Sequence, residues 1–177
     1  MILADSQILE AMAQGLIKVE PFRPECLGSN SYDVHLGPIL GTYRDAVLDA
    51  KKHNAITLMT IPPEGYVLQP DELYLGVTLE YTETHAHVPF LEGKSSVGRL
   101  GIDIHATAGK GDVGFCNYWT LEISVKKPVR VYTGMPIGQL IYFECGKVNT
   151  SYKTKGSAKY NDVAAMPVES MMWKNQF

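Results

Sequence analysis

From Ser31 onward the chain is cut into short apolar stretches by clusters of proline, glycine and acidic residues. Pro62-Pro63-Glu64-Gly65 and Gln69-Pro70-Asp71-Glu72 are two such breaks, a few residues apart. These clusters are turn signals: proline fixes φ and removes a donor, and glycine accepts left-handed conformations. The stretches between them alternate. Tyr32, Val34 and Leu36 point one way, with Ser31, Asp33 and His35 between them, which is the period of a half-buried strand. Ile56 to Ile61, Leu73 to Leu79, Ile102 to Thr107, Tyr118 to Val125, Val129 to Tyr132 and Ile137 to Glu144 read as further strands. Many short strands at close spacing predict a mainly β roll or barrel rather than βαβ units. One short helix is expected at the start, with Asp5 as its cap, Ile8, Leu9 and Met12 on one face, and Gly15 as its stop.

At 177 residues the chain suits a single domain spanning 1–177. Apolar residues at 45% and charged residues at 20% exclude a disordered or collagen-like chain. A net charge of −3 provides no broad basic field, so nucleic acid is not an expected partner. Cys26, Cys116 and Cys145 form no CxxC pair, so a disulfide framework is not expected and a reducing cytoplasm is. The N-terminus does not read as a signal peptide, and Ile137 to Phe143 is far short of the ~20 residues of a membrane helix. Residues 149–177 change character, being polar and rich in Lys, Ser, Thr and Tyr up to Asp162. They read either as a frayed terminus or as a flexible flap that closes over an anionic ligand.

Several motifs fail on inspection. Gly109-Lys110-Gly111-Asp112-Val113-Gly114 matches G-x-G-x-x-G, but Tyr118 to Val125 reads as a strand where a dinucleotide fold needs a helix. Gly93-Lys94-Ser95 resembles the end of a P-loop, yet Val88 stands where its first glycine belongs. His85-Ala86-His87 puts two imidazoles on one strand face with no third ligand evident, so a surface pair is expected. Zinc nucleobase deaminases need H-x-E and P-C-x-x-C, and neither is present.

The informative stretch is Gly93 to Glu122. Gly93-Lys94-Ser95-Ser96-Val97-Gly98-Arg99-Leu100-Gly101 gathers two cations, two hydroxyls and three glycines. Small residues let backbone N–H groups approach a ligand, and Lys94, Ser95, Ser96 and Arg99 donate hydrogen bonds, which suits a polyphosphate. A polar turn with both cations in solvent is the alternative. Glu122 sits in an apolar strand between Leu121 and Ile123. By alternation it faces solvent; in a pocket, desolvation would raise its pKa and make it a general base.

That run, with Thr107-Ala108-Gly109, Asp112-Val113-Gly114-Phe115 and Thr120-Leu121-Glu122 after it, resembles the dCTP deaminase family of the trimeric dUTPase-like superfamily. Met1-Ile2-Leu3 with Asp5 and Ile8, Ser31-Tyr32-Asp33-Val34-His35-Leu36-Gly37, Gly134-Met135-Pro136-Ile137-Gly138-Gln139-Leu140 and Ala158-Lys159-Tyr160 extend the likeness over nearly the whole chain. The resemblance implies a dUTPase-like β roll or barrel. It implies Glu122 as the general base that activates water for attack on cytosine C4, held by Arg99 and assisted by Ser95. Lys94, Ser95 and Ser96 would bind the triphosphate, with Tyr152 and Lys159 from the tail. The backbone near Ala106 and Ala108 would read the base, and Asp112 would accept the 3′-hydroxyl. Phe115 would exclude a 2′-hydroxyl, and Gln139 joins the nucleotide-binding set. The protein itself would supply no metal ligand; Mg²⁺ would arrive on the triphosphate. The implied assembly is a homotrimer with active sites between subunits, and dTTP is the candidate feedback inhibitor.

The reaction so implied is hydrolysis of dCTP to dUTP and ammonia, which feeds dTMP synthesis. The alternatives are a bifunctional enzyme that continues to dUMP and pyrophosphate, a dUTPase alone, and a nucleotide-binding regulatory module. Lys110-Gly111, Cys116-Asn117 and Asn161-Asp162-Val163 depart from the family pattern at positions that the resemblance puts beside the base and phosphates.

Overall fold

The computed structural model describes residues 1–177. Helix α1 spans Asp5–Ala13, followed by strands β1 (Ile17–Glu20), β2 (Tyr32–His35), β3 (Ile39–Tyr43), β4 (Ile56–Thr60), β5 (Tyr66–Leu68) and β6 (Tyr74–Val77). Next come β7 (Tyr81–Thr84), β8 (His87–Gly93), the single-turn helix α2 (Ser95–Gly98), and β9 (Ile102–Asp103). The series closes with β10 (Cys116–Asn117), β11 (Thr120–Val125), β12 (Val129–Val131) and β13 (Pro136–Glu144). Every pairing is antiparallel. The largest sheet runs β4-β3-β6-β11-β9, and three smaller ones run β1-β7-β10, β2-β13-β8 and β12-β5. This is the mainly β fold with a short N-terminal helix that the sequence predicts. No helix is long and apolar enough to cross a membrane.

The core follows the alternation. Tyr32, Val34 and Leu36 are fully buried, as are Leu121 and Ile123 of β11 and Leu140 of β13. Burying each such aliphatic side chain contributes roughly 1.5–3 kcal/mol. The Tyr32 hydroxyl accepts a hydrogen bond from the Arg23 N–H at 2.7 Å, and burial pushes its pKa up to about 12.

Four local expectations change. Asp5 is the first helical residue rather than the cap; Ala4 caps α1, and the Gln7 side chain accepts from the Ala4 N–H at 3.0 Å. Leu9 points to solvent, while Ala11 joins Ile8 in the core. The strand expected over Ile102 to Thr107 stops at Asp103. His85 and His87 do not share a face, because Ala86 lies between β7 and β8 where the chain turns.

His35 in β2 departs from its expected half-exposed position. It is buried against Glu80, which has no exposed surface. The Glu80 carboxylate accepts from the His35 backbone N–H at 2.9 Å and from Nδ1 at 2.7 Å, so Nδ1 carries the proton. The Cys26 Sγ lies 4.0 Å from the other ring nitrogen.

Candidate active site

Strand β11 builds the site. Leu121, Ile123 and Val125 enter the core, so Thr120, Glu122 and Ser124 face the other way. Leu75 lies directly opposite Glu122 in β6 and shares that outer face. Here the tail covers the sheet. A cleft of about 520 Å³ lies between them, lined by Glu122, Leu75, Tyr43, Ala108, Asp112 and Phe115 and, from the tail, Tyr152, Tyr160, Ala164, Val168 and Ser170. Glu122 is therefore both turned away from the core and half-buried. Burial raises its pKa above the usual 4.5, opposed only in part by the nearby His105. A carboxyl so placed takes a proton more readily than a free glutamate does.

The opposite wall is aromatic. Phe115 packs on Trp119 at 4.8 Å between centroids and on Tyr152 at 5.8 Å. Trp119 is pinned by its indole N–H, which donates to Thr82 Oγ1 at 2.9 Å. Gly111 makes room for this ring; a Cβ there would lie 2.6 Å from it. Asp112 lines the same wall, with Lys110 Nζ on its carboxylate at 2.5 Å. Gly114 has a φ of +91°, and a Cβ there would meet Ser151 at 2.7 Å. The glycines that mimic a dinucleotide motif thus serve close packing, and a strand follows them, as expected.

One residue sequence reasoning passed over holds the tail. Asn117, 3% exposed, donates from Nδ2 to the carbonyls of Tyr160 at 3.1 Å and Asp162 at 2.9 Å. Its Oδ1 accepts from the N–H groups of Tyr118 at 2.9 Å and Ala164 at 3.0 Å. Tyr152 N–H donates to the Val113 carbonyl at 2.7 Å, and Val168 N–H donates to Thr120 Oγ1 at 3.2 Å. The tail is laid across the cleft rather than frayed.

Glu122, Ala108, Asp112, Phe115 and Tyr152 meet in the cleft, whereas Lys94, Ser95, Ser96, Arg99, Ala106, Gln139 and Lys159 do not line it. Ser95 and Ser96 on α2 and Arg99 just after it are exposed, and Val97 anchors the turn in the core. Lys94 pairs with Asp33 at 2.5 Å, and Gln139 faces Asp33 across the ladder while meeting Ser31 Oγ at 3.2 Å. Lys159 is half-buried beside Tyr160. One chain thus keeps the candidate residues in two separate halves: a cleft with a half-buried carboxylate, and a surface with two hydroxyls and a guanidinium.

Comparison with known proteins bears on both halves. Residues 2–145 match the family model described as dCTP deaminase-like. A Clostridium acetobutylicum protein named "dCTP deaminase, dUMP-forming" is 46% identical over 176 residues, covering 99% of this chain and 98% of its own. A Leptospira biflexa protein of the same name is 48% identical over 160 residues, 90% of each chain. Among solved structures, a 2′-deoxycytidine 5′-triphosphate deaminase from Agrobacterium tumefaciens superposes with a TM-score of 0.63 at 23% identity. That match covers 80% of this chain and 47% of the longer one, and supports the fold.

Proposed function

This chain belongs to the dCTP deaminase-like family, and from that premise we propose that it hydrolyses dCTP in two steps, first to dUTP and ammonia and then to dUMP and pyrophosphate. The observation that carries the first step is the half-buried Glu122, its pKa raised, in a cleft large enough for a nucleotide. Glu122 takes a proton from water as its oxygen attacks cytosine C4, and returns it to N3. Glu122 then carries the hydroxyl proton of the tetrahedral carbon to the amino group, which leaves as ammonia as the C4 carbonyl forms. Correct positioning of water, base and ring adds to the acid–base effect. The second step is supported by the dUMP-forming name of relatives that match almost end to end. In that step water attacks phosphorus and pyrophosphate leaves, with Asp112 as the carboxylate at the sugar side of the cleft. Release of dUTP, the simpler outcome expected from sequence, is the competing reading.

In the same proposal a homotrimer completes each site, with Lys94, Ser95, Ser96 and Arg99 of one copy facing the cleft of another. The exposure of Ser95, Ser96 and Arg99 outside their own chain's cleft supports this. Mg²⁺ belongs to the substrate, neutralising phosphate charge. Three free thiols fit a cytoplasmic setting, and dTTP is the inhibitor to try first.

The deciding measurement is a product assay with dCTP. Ammonia with dUMP and pyrophosphate is the expected result; ammonia with dUTP alone overturns the second step, and no ammonia overturns both. A second expectation concerns the phosphates. Lys94→Ala and Ser96→Ala should each weaken dCTP binding by about 1.5–3 kcal/mol, the worth of a charge-assisted hydrogen bond, while barely touching deoxycytidine. Equal losses for both ligands, read by calorimetry, would remove these residues from the phosphate site.

A further inference from the structure

Glu83, His85 and Cys116 form a cluster that the deamination reading does not use. We propose that they bind a zinc-class divalent ion through carboxylate, imidazole and thiolate, with water as the fourth ligand. The topology brings them together. Cys116 of β10 lies directly opposite Glu83 of β7, so both side chains project from one face of the sheet. His85 follows two residues after Glu83, and its Nε2 sits 2.8 Å from Glu83 Oε2. A ligand atom from each of the three lies within 4.8 Å of the others. Bond lengths of roughly 2.0–2.3 Å to zinc put tetrahedral donors about 3.3–3.6 Å apart, so side-chain rotation of about an ångström closes the set. The His85 ring is 39% exposed, which gives an ion a path in.

The donor chemistry selects the ion. A mixed nitrogen, sulfur and oxygen set with an open fourth position suits zinc better than calcium or magnesium, which prefer all-oxygen shells. One carboxylate and one thiolate neutralise a divalent charge; the thiol gives its proton to solvent as the sulfur–metal bond forms. Lys18 also lies opposite Glu83 but is held by Glu20 at 2.8 Å, and Lys153 is the cation near Cys116. The sequence shows His85 and His87 as a pair without a third ligand. The fold separates that pair, sending His87 into register with Glu144, and supplies His85 with two other partners.

This ion would not perform the deamination. Phe115 and Asn117 line the cleft, so Cys116 between them projects to the other side. Its effect would be to tie β10 to β7 beneath the residue that anchors the tail.

The test is a zinc titration of metal-free full-length protein against a chromophoric chelator, with cobalt(II) as a spectroscopic probe. The expected result is one ion per chain and a thiolate-to-cobalt charge-transfer band. Cys116→Ser and His85→Ala should each weaken zinc at least about 10²-fold, the upper end of what loss of a mere supporting contact costs. Cys145→Ser, at an exposed thiol elsewhere, should leave affinity unchanged. His85 is exposed, so its alanine variant keeps the result readable if Cys116→Ser fails to fold. Absence of stoichiometric binding, or equal affinity in wild type and both cluster variants, overturns the proposal.

Discussion

Replacing Glu122 with glutamine is expected to cut ammonia release from dCTP by about 10²–10⁴-fold, the usual worth of a positioned general base. The change keeps size and shape, so nucleotide affinity should stay close to normal. Hydrolysis of added dUTP should fall less, because in the proposed second step attack at phosphorus draws on Asp112 instead. The pH profile carries a second sign. In the proposed mechanism the base is the carboxylate, and burial holds its pKa above 4.5 in the free protein. Below that raised value Glu122 is protonated and idle, so the acid limb of kcat/KM should lie above pH 4.5 and disappear in Glu122→Gln. Near-normal ammonia release from the variant would place the base elsewhere.

The second large effect is structural. Glu80→Ala should destabilise the fold by about 3–5 kcal/mol, the usual penalty for removing one partner of a buried hydrogen-bonded pair. Two donors lose their acceptor at once, the His35 backbone N–H and Nδ1–H, at a site buried away from bulk solvent. At roughly 2–4 °C per kcal/mol for a chain of this size, the melting midpoint should fall on the order of 10 °C. Glu80→Gln retains the volume and one acceptor oxygen, so its loss should be smaller. A midpoint shifted by less than about 2 °C in Glu80→Ala, against the scale above, would show that the pair contributes little.

How much of this was legible in the sequence depends on the strand. β2 and β11 carry clean apolar alternation, and both were readable. β7 reads Tyr-Thr-Glu-Thr, and its inward positions, Thr82 and Thr84, are polar. Their hydroxyls donate to the carbonyls of Asn117 and His87, so the strand is stabilised by partners no hydropathy pattern displays. β8 contains Pro89, which reads as a break. Glu122 shows the same limit at the site. Alternation correctly turned it from the core; what changes its chemistry is a segment some forty residues later that covers that face. The anchoring role of Asn117 gave no local signal, because all but one of its side-chain bonds reach 43–47 residues along the chain.

That asparagine has a further consequence. The outer wall of the cleft is attached by a handful of hydrogen bonds, three of which converge on that one side chain, with few buried apolar residues beyond it: only Pro167 in the last fifteen is buried. Segments held in this way open as small cooperative units at a free energy well below that of global unfolding. The barrel and the wall thus have separate stabilities. Changes that harden the β core will leave the lifetime of the closed cleft almost untouched, and changes at Asn117 will do the reverse.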